Sequence, residues 1–177
     1  MTIPAGPHRL GPGEASLVVQ TYREGVAGKV GHDLIIDVQR WEATLDGGAE
    51  PTLELTADAG SLYPREGLRG LKPLSDRDRR EIVKNIEGKV LGGQPIAFRS
   101  TSVREDGERL SVDGELTMNG ATRPASFELT VDPGGELTGT TELTQSNWGI
   151  SPYRGLMGAL KVRDSLEVVF SGRLPAG

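Results

Sequence analysis

Two histidines, His8 and His32, are the only imidazoles in this chain of 177 residues, and there is no cysteine. Two imidazoles are too few for a three-histidine metal site, and they are not spaced as His-x-x-x-His. Thiolate ligation and disulfides are excluded outright. His32 stands in Gly31-His32-Asp33-Leu34 at the start of a strand pattern. A turn or core histidine bonded to nearby backbone is its expected role; contact with the polar end of a ligand is the alternative. Asp33 completes no triad, because no serine sits in a Gly-x-Ser-x-Gly context. No Gly-x-x-x-x-Gly-Lys-Ser/Thr loop is present to cradle phosphate. Asp and Glu number 25, but they fall mainly on solvent faces and no acid–base pair stands out. The expectation is binding rather than catalysis, with no catalytic residue, no metal and no cofactor.

Charge narrows the partners. The formal net charge is −5, and no Lys/Arg stripe interleaved with aromatics appears, so nucleic acid is not expected. Arg77, Arg79, Arg80 and Lys84 are diluted by Asp76, Asp78 and Glu81, which reads as a solvated helix face. No apolar run approaches the ~20 residues of a membrane span. The N-terminus lacks a charged segment followed by an apolar one, so no secretory leader is read there. With Met1 as the natural start, the expected compartment is the cytoplasm.

The elements that position these residues are mostly strands. Period-two alternation places apolar or small residues on one face at Leu17/Val19/Thr21, Leu34/Ile36/Val38 and Leu53/Leu55/Ala57. It recurs at Ile96/Phe98/Ser100, Leu110/Val112/Leu116, Phe127/Leu129/Val131, Leu137/Thr141/Leu143 and Leu166/Val168/Phe170. Strands are expected at 15–22, 32–45, 52–58, 95–104, 109–118, 125–132, 137–146 and 164–174. Asp106-Gly107 and Asn119-Gly120 mark hairpins, so neighbouring strands run antiparallel. Ser75 caps one helix over 75–91, whose Ile82, Val83, Ile86 and Val90 form an apolar stripe, and Gly92-Gly93 stops it. That helix either packs on a flank or lies as a lid over a mouth. Residues 1–14, with three Pro and three Gly, read as a loose arm; 60–74 reads as an irregular loop.

About eight antiparallel strands in one domain predict an all-β barrel, which removes sheet edges and is just wide enough for one small ligand. With only eight aromatic residues (three Phe, two Trp, three Tyr), a wide interior is hard to fill, though Leu, Ile and Val could fill it. The candidate lining is Leu34, Ile36, Val38, Leu55, Phe98, Leu116, Phe127, Leu143, Val168 and Phe170. A polar ligand end could meet His32, Lys29, Arg154 or Lys161. The connection from Trp148 to Leu160 is unusually apolar for a loop, with Ile150, Tyr153, Leu156 and Met157 in it. It is expected to fold over one barrel end, either as a plug or as a rim that controls access.

These segments together carry a family resemblance. Lys29-Val30-Gly31-His32-Asp33-Leu34, Leu53-Glu54-Leu55-Thr56-Ala57-Asp58-Ala59-Gly60-Ser61-Leu62 and the Arg-rich start of the helix contribute to it. So do Pro95-Ile96-Ala97-Phe98-Arg99-Ser100-Thr101-Ser102-Val103, the stretch from Val112 to Pro124, and Ser146-Asn147-Trp148-Gly149-Ile150. In order and spacing, residues 15–174 resemble the YceI-like family of bacterial polyisoprenoid-binding proteins. The resemblance implies a lipocalin-like extended barrel that binds or carries an isoprenoid or other long-chain lipid without chemistry; a homodimer stays open. The alternative is a barrel filled by its own side chains, acting as a structural or protein-interaction domain through loops 60–74 and 146–163.

Overall fold

A computed structural model describes residues 3–25, 31–70, 72–155 and 160–175. The strands are β1 (Gly6–Leu10), β2 (Ser16–Thr21), β3 (Arg23–Glu24), β4 (Asp33–Val38), β5 (Trp41–Gly47), β6 (Thr52–Ala57) and β7 (Leu62–Leu68). After helix α1 (Asp76–Asn85) follow β8 (Ile96–Asp106), β9 (Arg109–Met118), β10 (Ala121–Val131), β11 (Glu136–Thr144), β12 (Arg154–Gly155), β13 (Leu160–Val162) and β14 (Ser165–Arg173). Eleven strands form one curled antiparallel sheet in the order β1-β5-β6-β8-β9-β10-β11-β14-β2-β4-β7, and β12-β13-β3 form a small second sheet.

Eleven strands and the expected eight are reconciled by one bent hairpin. β4 runs on into β5 through Gln39 and Arg40, and β6 into β7 through a short 3-10 turn, Ala59–Ser61. Pairing continues through the corner: Gln39 N–H donates to Ser61 O and Asp58 N–H to Arg40 O, each at 2.9 Å. The β4 half pairs with β2, and the β6 half pairs with β8. The circuit of hydrogen-bonded neighbours therefore returns to its start through the two halves of one hairpin. Eight passes of chain make the barrel, with β1 added beside β5.

The turns follow their sequences. Asn119 and Gly120 both have positive φ, 52° and 71°, at the β9–β10 hairpin, and Gly107 has φ 61° at β8–β9. Ser75 accepts from Asp78 N–H while Asp78 accepts from Ser75 N–H, a closed capping box at the helix start. The single helix expected over 75–91 is an α-helix to Asn85 followed by a π-helical turn, Ile86–Val90. It lies between β7 and β8 in the chain.

Two expectations are corrected. The arm read over 1–14 is not loose in its described part, residues 3–14: Gly6–Leu10 pairs with β5, and Ile3 is fully buried. The polar alternation of β5 hides a pairing edge that the arm can satisfy, and Pro and Gly are tolerated at such an edge strand. The loop read over 60–74 is strand β7 through Leu68, because Leu62 and Pro64 bury one face. Helix α1 protects this edge: Arg79 donates to the carbonyls of Pro64 and Arg65, each at 3.2 Å.

Candidate ligand-binding cavity

The inward faces of the eight passes do not meet at the centre. They enclose a cavity of about 320 Å³, which lies in the range of small-molecule sites, roughly 300–1,000 Å³. Leu34, Ile36, Val38, Leu55, Phe98, Leu116, Phe127, Leu143, Val168 and Phe170 all line it, as the alternation predicts. Phe98 and Phe127 stack at a tilt with ring centroids 5.2 Å apart, and Phe170 meets Trp41 edge-on at 5.8 Å.

One end is closed. Leu10, Ala43, Leu53, Leu129 and Leu137 line it, and none is more than 8% exposed. Behind them Ile3, Leu45, Leu110 and Val131 are fully buried. Residues 3–4 cross so close to Gly47 that a Cβ there would stand 2.1 Å from Pro4 O. The other end opens between the helix and the C-terminal connection. Ile82, Asn85, Ile86 and Val90 form one jamb, and Ile150, Tyr153 and Val162 the other. An outer vestibule of about 480 Å³, lined by Lys89, Val90, Ser146, Ile150, Ser151, Pro152, Tyr153 and Arg154, shares Val90, Ile150 and Tyr153 with the cavity. Lys89 Nζ lies 5.8 Å from the centroid of the Tyr153 ring.

The wall is almost wholly hydrocarbon. Its polar side chains among the described residues are Thr21, Asn85, Thr140, Thr141, Gln145 and Tyr153, and no carboxylate, imidazole or cation lines it. Thr21 is 9% exposed and its hydroxyl has no hydrogen-bond partner among the described residues. Gln145 commits its Nε2 to the Arg163 carbonyl at 3.1 Å. Both sit where β2 and β11 end, at the mouth.

Several predicted site residues lie elsewhere. Trp148 does not line the cavity. It is a buried anchor, 3% exposed, donating Nε1–H to Leu116 O at 2.8 Å, while Asn119 Nδ2 donates to the Trp148 carbonyl at 3.1 Å. An indole buried near a sheet needs an acceptor, and a backbone carbonyl supplies it. His32 also misses the cavity. Its Nε2 bonds the Lys72 carbonyl, and its ring fills the space over Gly67 and Gly70, where a Cβ would collide with it. The role expected of His32, a histidine bonded to backbone, is the one observed. Arg154 stands in the vestibule rather than the cavity, and Lys161 pairs with Glu24 at 3.4 Å. Leu156, Met157 and Lys29 lie outside the described residues.

Sequence reasoning left the helix open, as a flank element or a lid over a mouth, and missed the closed end. The stripe Ile82, Ile86 and Val90 carried the signal for the first. The second was carried by Leu53, Leu129 and Leu137, members of the same alternating runs whose depth along the strand no periodicity encodes.

Comparison with known proteins bears on the second half of the chain first. Residues 93–174 match the YceI-like domain. The chain carries a YceI-like domain. A stretch of 31 residues is 52% identical to Protein YceI of Escherichia coli O157:H7 and of Shigella flexneri, covering 18% of this chain and 16% of each relative. The YceI-like fold extends over nearly the whole chain. Burkholderia cenocepacia BcnA superposes with a TM-score of 0.66 at 14% identity, over 92% of this chain and 96% of that one. The Campylobacter jejuni YCEI protein gives 0.55 at 10% identity, over 79% and 84%. At such identities the likeness establishes the fold alone.

Proposed function

We propose that this YceI-like protein binds one long apolar ligand, an isoprenoid or similar lipid, in the barrel, and that it carries the ligand without transforming it. The observation that carries the reading is the cavity itself: closed at one end, open at the other, and walled by hydrocarbon. Each methylene moved from water into such a wall gains about 0.8 kcal/mol, so a long tail suits the site better than a compact polar molecule. Thr21 supports a ligand with a polar end. A buried hydroxyl without a partner costs about 1–3 kcal/mol, and a ligand oxygen at the mouth would relieve it. Carriage without chemistry is supported by the wall, whose described residues include no acid, base or nucleophile with a partner to activate it.

The competing reading, a filled barrel serving as an interaction domain, requires a close-packed centre. Leu34, Phe98, Leu116 and Phe170 instead border open space. Native mass spectrometry of freshly purified protein, followed by organic extraction, tests the proposal. A bound mass that leaves on extraction and is recovered as a lipid is the expected result. A mass equal to the bare chain, together with no uptake of added isoprenoid alcohol, overturns it.

A further inference from the structure

The cavity mouth is basic in an acidic protein. The segments whose described residues surround the mouth are 22–33, 69–91 and 153–164. Those described residues include eleven Lys or Arg against seven Asp or Glu, whereas the other described residues include eight against eighteen. Pairing sharpens the difference. On the barrel wall Arg99, Arg104 and Arg109 each face a carboxylate, as does Arg40 at the corner. Around the mouth Arg77, Arg80, Lys84, Lys89 and Arg154 are exposed and join no ion pair among the described residues. Arg77, Arg80 and Lys84 share the face of α1 turned away from Ile82 and Ile86, which enter the cavity wall. Asp76, Glu81 and Glu87 flank that face and temper it. Leu68, 39% exposed and one of two exposed large hydrophobics among the described residues, adjoins the same end at the start of β4.

We propose that the mouth end docks on an anionic lipid bilayer, with α1 lying against the headgroups. This rests on the cavity being a lipid site, because it is the open end, and not the acidic barrel body, that faces the surface. The charge division supplies orientation: a negative surface attracts the basic end and repels the body, within a Debye length. Leu68 supplies an apolar side chain that can enter the interface once the helix is held there. A ligand tail can then pass between bilayer and cavity without crossing open water.

Co-sedimentation with phosphatidylcholine vesicles containing about a third phosphatidylglycerol tests this, beside vesicles of phosphatidylcholine alone. Binding to the anionic vesicles at low salt, weakened by high salt and absent on the neutral ones, is expected. The variant R77E/R80E/K84E, with circular dichroism matching the parent, should partition at least about a hundredfold more weakly, since each basic residue lost near such a surface costs about fivefold and each Glu adds a repelled charge. The wall variant R99E/R104E/R109E should lose far less. Equal binding to both vesicles, no binding to either, or equal losses in the two variants overturns the proposal. Uptake of the neutral dye N-phenyl-1-naphthylamine without vesicles separates the two readings. Uptake without vesicle binding overturns docking and leaves the cavity reading standing. Selective vesicle binding without uptake supports docking and counts against the cavity reading.

Discussion

Trp148 donates its indole N–H to the main-chain oxygen of Leu116, 2.8 Å away, while the Leu116 side chain lines the cavity. One residue thus ties the C-terminal connection to a strand that lines the ligand site. The tie fixes the segment on which Ile150 and Tyr153 reach the mouth.

Trp148→Phe tests the tie. It removes one buried hydrogen bond, worth about 0.5–1.5 kcal/mol net, and leaves a small void. A drop in unfolding free energy of about 1–3 kcal/mol is expected by urea denaturation, with ligand content retained. If stability is unchanged while ligand is lost, Trp148 contacts the ligand directly after all.

Ala125→Trp tests the cavity from inside. Ala125 lines it and is partly buried, so a large ring at this position projects into open space rather than into packed neighbours. Extractable lipid should fall several-fold while the protein stays folded. A large loss of stability, on the order of 1–3 kcal/mol, would instead mean that no room exists there.

Gly114→Ala tests the seating of Phe98. A Cβ on Gly114 would stand 2.4 Å from Phe98 Cζ and 2.4 Å from Arg99 O. The ring can turn away, but the strand carbonyl cannot yield without straining the β8–β9 ladder. Destabilisation of about 1–3 kcal/mol is expected from overpacking, read as a lower urea midpoint. Because Phe98 is a cavity residue, ligand content should fall as well.

Asp33 is 6% exposed and accepts from Arg23 N–H and from Arg69 Nη1, each at 2.9 Å. It joins the start of β4 to β3 and to the end of β7. Asp33→Ala should cost about 1–3 kcal/mol through the unsatisfied Arg23 amide. Arg69→Ala should cost less, since its side chain is largely exposed and the ion pair is screened. Hydrogen exchange should quicken at residues 23–25 and 67–70 in the first variant more than in the second.

Acid lability follows from three surface carboxylates. Gly60 N–H and Arg40 hold Asp58 below its usual value of 3.8; Ser75 does so for Asp78, and Ser126 and Arg104 for Asp113. Each folded-state pKa lies below the unfolded one. Their contribution is therefore fully present above about pH 4 and is lost as pH falls through the folded values. Thermal unfolding from neutral pH down to about 2.5 should show the melting temperature falling below pH 4, more shallowly in Asp78→Asn. An unchanged slope in that variant would remove Asp78 from the account.

Much of the barrel was legible in the residues themselves. Side-chain alternation has a period of two, so Leu34/Ile36/Val38 and Leu166/Val168/Phe170 declared which face turns inward, and all six residues line the cavity. Ser75 and Asp78 announced the helix start, and Asn119-Gly120 the hairpin. What alternation cannot encode is long-range pairing. Nothing local in β1 distinguishes a strand awaiting β5 from a loose arm, and the corner at Gln39–Arg40 appears only when β4 and β5 pair with different neighbours. Whether the centre is filled or hollow was also undecided, because it depends on barrel radius and stagger rather than on composition. Trp148 and His32 show the same limit. Each stood open between a structural role and a ligand contact, and the carbonyls of Leu116 and Lys72, far away in sequence, decided it by claiming their polar atoms when the tertiary structure brought them near.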